Sequence, residues 1–313
     1  MILNTGNILL IGSILLFVSI VVGKAGFRFG VPALLLFLGV GMLFGTDGLG
    51  IEFNNPQTAQ FIGVIALSII LFSGGMDTSA AEIKPVLGQG IVLATVGVMF
   101  TAFLTGYFIY YITNLENSFI TLNFTESLLL ASVMSSTDSA SVFSILRSKR
   151  QGLKENLRPM LELESGSNDP MAYMLTILLI GIIQSGESSL SNTVLQFIMQ
   201  MSIGAVSGYL LGRLAVYCIN KLNINQSLYP VLLLAFVFFI FSFTDLIKGN
   251  GYLAVYLAGL VVGNHKVVHK KSLTTFFDGI TWLFQIVMFL TLGLLVNPAE
   301  LLPVATLSIL IGV

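Results

Sequence analysis

Ten apolar stretches of roughly 15–28 residues, joined by short polar loops, constrain this chain more than any other feature of it. A helix needs about 20 residues to cross the hydrocarbon of a bilayer. The stretches cover 7–23, 31–45, 58–73, 88–112, 127–146, 159–184, 193–220, 228–244, 250–264 and 276–296, and an eleventh begins near Leu301 and continues to Val313. They read as helices rather than barrel strands, because barrel strands alternate apolar and polar residues over about 10 positions. The shortest, 31–45 and 250–264, call for little tilt or for local thinning of the bilayer. With 9% charged residues the chain cannot cover a water-facing surface, since a soluble domain carries about 25%. The expected fold class is therefore an all-α polytopic membrane protein.

The loops set an orientation. Twelve of the 14 Lys and Arg residues follow stretches 1, 3, 5, 7 and 9: Lys24, Arg28, Lys84, Arg147, Lys149, Arg150, Lys154, Arg158, Lys221, Lys266, Lys270 and Lys271. Lys248 falls on the other side, and Arg213 lies late in stretch 7, where it can snorkel to the basic side. The opposite loops carry Asp47, Glu52, Glu116, Glu126, Glu187, Asp245 and Glu300. By the positive-inside rule the N-terminus lies outside a cell (inner) membrane. Met1–Gly6 has no basic segment, so the first stretch is read as a membrane helix rather than a cleaved signal. A net charge of −1 makes nucleic acid an unsuitable partner. The single cysteine, Cys218, excludes an intrachain disulfide. His265 and His269 have metal-ligand spacing, but Lys266, Lys270 and Lys271 beside them repel a cation, so the segment reads as a solvated basic loop. No motif calls for a cofactor.

Two stretches are wrong for lipid. The fifth contains Ser132, Ser135, Ser136, Thr137, Asp138, Ser139 and Ser141 near its middle. An aspartate at the bilayer centre costs about 2.5–3.5 kcal/mol on insertion scales, and clustered hydroxyls compete for backbone hydrogen bonds and open a helix. Packing of small residues explains the serines; it does not explain Asp138. The sixth contains Glu162, Glu164, Ser165, Gly166, Ser167, Asn168, Asp169 and Pro170. Pro170 lacks an N–H and its ring crowds the carbonyl of Gly166, so loosening is expected over Gly166–Asp169. Glu162, nearest the basic loop, reads as a surface carboxylate.

Irregular backbone at membrane depth is tolerated where it lines a cavity, so both stretches point to a hydrated midplane site around Asp138 and Asp169. Oxygen ligands suit hard cations. One carboxylate that holds a proton or a cation, but not both, is the minimum apparatus for exchange. Midplane sites on discontinuous helices are where secondary transporters bind substrate.

Leu71-Phe72-Ser73-Gly74-Gly75-Met76, then Ser136-Thr137-Asp138, then Glu164-Ser165-Gly166-Ser167-Asn168-Asp169-Pro170 resemble the monovalent cation:proton antiporters of sodium/hydrogen exchanger type, nearest the potassium/proton NhaP-like branch. The resemblance runs along the whole chain in order. It implies a thirteen-helix inverted-repeat fold with discontinuous helices, a homodimer in membrane lipid, and exchange of K⁺ or Na⁺ for H⁺. It implies that 1–73 and 193–296 form the dimer panel, 88–184 the first half of the ion-translocating core, and 301–313 the start of the second half. It makes Asp169 the cation and proton carboxylate with Asn168 as its structural partner. Asp138, Thr137, Ser165 and Glu164 line the site. The Asn-Asp pair resembles electroneutral members. Ser139 stands where many relatives have proline, which leaves any break in stretch 5 to the hydroxyls. On this resemblance the chain is expected to be a piece that stops in helix 11, before the second half of the core.

Two other classes place carboxylates in membranes. Intramembrane aspartyl proteases use two aspartates on neighbouring helices, but resemble one another in a Gly-x-Gly-Asp string that is absent here. Cation channels build filters from repeated carbonyls or charged rings of several subunits, unlike carboxylates on one pair of helices.

Overall fold

The computed structural model of the chain describes residues 5–29, 32–115, 120–137, 142, 153–154, 156–185, 190–301 and 305–312, all of them helix, turn or loop. Ten helices fall on the ten stretches. They are α1 (Thr5–Phe29), α2 (Ala33–Phe44), α3 (Pro56–Asp77), α4 (Ala80–Thr113), α5 (Phe124–Met134), α6 (Leu157–Ser185), α7 (Leu190–Lys221), α8 (Tyr229–Leu246), α9 (Gly251–Asn264) and α10 (Lys270–Leu295). An α11 follows at Ala305–Gly312. Among the described residues six helices are long and apolar enough to cross a membrane, and four shorter ones are apolar over 10–17 residues.

The chain divides into two compact units, one of Met1–Ile70 with Asp278–Val313 and one of Leu71–Phe277. Within the first, α2 and α10 touch backbone to backbone: a Cβ on Gly41 would sit 2.5 Å from the Leu290 carbonyl oxygen, and one on Gly293 2.3 Å from that of Leu38. The Asp47 carboxylate accepts the Ala299 N–H at 2.9 Å and ties two loops of this unit together.

The second unit is built around α9. This helix has 14 residues, too few for the whole hydrocarbon, and most of them are buried. A helix apolar on all sides belongs in an interior, and here neighbouring helices rather than lipid surround it, so neither tilt nor bilayer thinning is needed. Its ends lie where backbone groups need partners. Asn250 caps the start by accepting the Leu253 N–H at 3.0 Å. Asn264 closes the other end, accepting the Ala80 N–H at 2.8 Å and donating to the Thr78 carbonyl at 2.9 Å. Along α7, Gly204, Gly208 and Gly212 recur every fourth residue, and Cβ atoms there would lie 2.5–2.9 Å from Asn250, Ala254 and Ala258. Small residues at this spacing let membrane helices approach closely. Gly208→Val is expected to lower stability by about 1–3 kcal/mol through overpacking. Thermal unfolding in detergent checks this, with Gly181→Val as control, since a Cβ there meets nothing within 4 Å.

Three local features differ from the sequence reading. First, α4 is not one uniform helix. A 3₁₀ turn at Lys84–Val86 and a π-helical segment at Leu93–Gly97 interrupt it. Second, α5 is shorter than the stretch 127–146. Asn123 and Glu126 cap its start reciprocally, and it ends at Met134. The Ser132 hydroxyl donates to the Leu129 carbonyl and that of Ser135 to the Ser132 carbonyl, both at 2.7 Å, so hydroxyls turn the chain out of the helix without a proline. Third, the expected loosening at Gly166–Asp169 does not occur: α6 runs helical through Pro170. Proline in membrane helices is tolerated where neighbours compensate the backbone. The carbonyl that loses its N–H partner is that of Gly166; α9 braces this turn from outside, with the Tyr256 ring where a Gly166 side chain would be, its Cε2 2.5 Å from the ideal Cβ, and the Asn250 amide donating to the Pro170 carbonyl at 3.1 Å.

Candidate functional site

The polar string of α6 is arranged by helical spacing. Residues three and four apart share a face, so Glu164, Ser165, Asn168 and Asp169 form one polar patch facing the end of α5. Ser165 and Asn168 are fully buried and Glu164 and Asp169 half-buried. A buried amide must find partners, and Asn168 finds them on both sides. Its Nδ2 donates to Thr137 Oγ1 at 2.7 Å and to Glu164 Oε1 at 2.9 Å, while its Oδ1 lies 3.1 Å from the Ser136 hydroxyl. The same Ser136 hydroxyl donates to Asp169 Oδ1 at 2.5 Å, the short distance typical of a charge-assisted O–H···O bond. Thr137 donates onward to Ser165 at 3.2 Å. Deeper along the pair, Ser132 and Thr176 hydroxyls meet at 3.0 Å.

These bonds hold the non-helical backbone of Ser135–Thr137 against α6. Beside it opens a cavity of about 340 Å³. Its oxygen-bearing wall is Thr101, Ser135, Ser136, Thr137 and Glu164, and the π-helical segment contributes Leu93 and Gly97. π-Segments occur frequently at functional sites. Glu164 is the carboxylate on this wall; Asp169 stands behind Ser136 and reaches the wall through its hydroxyl. Hydroxyl and carboxylate oxygens around a cavity with room for a cation and several waters are the donor set that a hard monovalent cation takes.

Five of the six residues singled out from the sequence, Asp169, Asn168, Glu164, Ser165 and Thr137, thus come together. The sixth, Asp138, lies outside the described residues. Ser136 enters the sequence reading as one hydroxyl of a cluster and as the first residue of the Ser136-Thr137-Asp138 string, but not as a site residue, yet it contacts both Asn168 and Asp169. Glu162 corrects its reading as a surface carboxylate. Its side chain is 12% exposed and accepts from Arg158 Nε at 2.9 Å, an i,i+4 ion pair. His265 is likewise not merely solvated. Arg213 Nη1 lies 2.7 Å from its Nε2, and its Nδ1 2.7 Å from the Val261 carbonyl. Arginine only donates, so Nε2 accepts and Nδ1–H donates to the carbonyl, and both ring nitrogens are engaged by the protein.

Residues 12–313 match the family model described as sodium/hydrogen exchanger, transmembrane. The chain is 43% identical over 297 residues to the K(+)/H(+) antiporter NhaP of Alkalimonas amylolytica, covering 95% of this chain and 50% of that protein. It is 38% identical over 304 residues to the K(+)/H(+) antiporter NhaP2 of Shewanella sp. (strain ANA-3), covering 96% and 51%. The chain therefore spans about half the length of the curated relatives it matches. Its fold is that of the sodium proton antiporter MjNhaP1 from Methanocaldococcus jannaschii, with a TM-score of 0.79 at 21% identity over 96% of this chain and 72% of the other. With an all-helical polytopic architecture and a family match along nearly its whole length, the chain belongs to the sodium/hydrogen exchanger family of membrane proteins.

Proposed function

We propose that the protein is a secondary active transporter, not an enzyme, that exchanges K⁺ or Na⁺ for H⁺ across the cell membrane. One observation carries this reading: the Asp169 carboxylate, within the long apolar helix α6, accepts from the Ser136 hydroxyl at the end of α5, beside a cavity walled by hydroxyls and the Glu164 carboxylate. A cation in the cavity and a proton on Asp169 compete for the same negative charge. Loading one expels the other, which makes the exchange electroneutral. Asp138, next in the chain after Thr137, is assigned to the lining of the same site by the family resemblance alone. The relatives' names, K(+)/H(+) antiporters, agree in reaction class. In this reading 88–184 is the first half of the ion-translocating core, 1–73 and 193–296 are the panel of a homodimer, and 301–313 begins the second half.

Proton movement in everted vesicles carrying the protein tests the function. Adding K⁺ or Na⁺ to vesicles with an imposed proton gradient is expected to dissipate it, without a change in membrane potential. Cation flux that proceeds with no proton gradient and no proton movement would identify a channel instead.

The orientation is tested separately. The N-terminus is proposed to lie outside, which places Lys221 on the cytoplasmic side and Leu246, 76% exposed, on the outer side. In a Cys218→Ser background, an impermeant thiol reagent on intact cells is expected to label Leu246→Cys and to spare Lys221→Cys. The reverse pattern overturns the orientation.

A further inference from the structure

A second cavity, of about 520 Å³, lies within the unit formed by Met1–Ile70 and Asp278–Val313, where α1, α2 and α10 meet. Its size is that of a small-molecule site, about 300–1,000 Å³. Phe37, 3% exposed, forms its floor, and Ile20, Trp282 and Leu283 form walls that stay 39–59% exposed. Lys24 is the charged residue in the lining. It lies toward the C-terminal end of α1, the end of that helix where its basic residues fall.

We propose that this groove binds one acyl chain of an anionic phospholipid, with the lipid phosphate at the Lys24 ammonium. Three features select this occupant. The groove is apolar along its length and charged at one place, as a lipid is. Its sign fits, because basic pockets between membrane helices hold anionic head groups. Its length fits too: the lining on α1 runs from Lys24 to Leu16, eight residues and so about 12 Å, close to one leaflet of the roughly 30 Å hydrocarbon. A helix of a second copy would need a groove as long as the whole membrane.

Gly279 offers a direct test. It lines the groove, and a Cβ built on it meets nothing within 4 Å, so a larger side chain there starts in open space at the groove. The delipidated protein in detergent is titrated with phosphatidylglycerol or phosphatidylcholine, and bound lipids are counted by native mass spectrometry. The wild type is expected to hold one lipid, with phosphatidylglycerol bound about fivefold more tightly than phosphatidylcholine, the share of one lysine near an anionic head group. Lys24→Gln removes the preference and keeps phosphatidylcholine binding; Lys24→Arg keeps both. Gly279→Leu loses the bound lipid of either kind. Unchanged phosphatidylglycerol binding in Gly279→Leu, or an unchanged preference in Lys24→Gln, overturns the proposal. So does a shift of Gly279→Leu from dimer to monomer with its lipid retained, which places a second copy in the groove.

Discussion

Asp169→Asn is expected to abolish cation-driven proton flux in vesicles while leaving the protein folded. The substitution keeps the size and the Oδ1 acceptor that the Ser136 hydroxyl meets at 2.5 Å, so the junction between α5 and α6 stays closed. It removes the group that can carry a proton or offset a cation. Removing a half-buried charge also relieves a desolvation cost, so thermal stability holds or rises. Asp138→Asn weakens cation binding more mildly, because that residue is assigned to the wall and not to the proton. Wild-type flux in Asp169→Asn removes the carboxylate from the mechanism. Lost flux with lost folding assigns it a structural role instead.

Asn168→Leu is expected to damage both stability and transport. The amide is 1% exposed and joins Thr137, Glu164 and Ser136 in one set of bonds. Side-chain hydrogen bonds between membrane helices average roughly 0.6 kcal/mol each, so three of them give about 2 kcal/mol. Leucine keeps the branched skeleton, so no cavity opens, while its larger volume adds an overpacking cost to the lost bonds. Transport falls further than stability. Without the amide the Thr137 hydroxyl and the Glu164 carboxylate lose their fixed positions on the wall, and a displacement of about 1 Å at a reacting centre costs up to about 100-fold. Ser165→Ala, which removes only the 3.2 Å contact from Thr137, is expected to change both far less. Initial rates of proton movement and detergent melting curves for the three proteins separate the effects. Full activity in a destabilised Asn168→Leu would show that the wall needs no such support.

The spans were legible because their signal is length. A stretch such as Tyr229–Leu246 cannot be placed otherwise, and its helix falls on the expected 228–244. The polar face of α6 was legible because Glu164, Ser165, Asn168 and Asp169 sit at helical spacing, and their mutual contacts follow from that spacing alone. Three things were not legible. The π-helical segment Leu93–Gly97 holds one polar residue, Thr95, whose hydroxyl donates to the Ile91 carbonyl at 2.7 Å, and a lone threonine in an apolar stretch does not announce a change of helix type. Pro170 read as a break because local rules carry no knowledge of Asn250, 80 residues away, or of Tyr256 packed on Gly166. Ser136 could not be told from its neighbours, because three consecutive hydroxyls, Ser135, Ser136 and Thr137, offer no reason to prefer one until the end of α5 fixes which of them faces Asp169.

The central claim is that a proton and a cation compete for Asp169. Competition makes the half-saturating cation concentration depend on pH with a fixed sign. Protonation removes the charge that holds the cation, so the concentration must rise as pH falls. Well below the pKa of the site each further unit raises it about tenfold, or about 1.4 kcal/mol, and well above that pKa it is constant. The most direct measurement is therefore the half-saturating K⁺ and Na⁺ concentration for proton movement across a series of pH values from mildly acidic to mildly alkaline. The account predicts a line that bends from flat to a tenfold rise per unit toward acid. A half-saturating concentration that does not move with pH would contradict it.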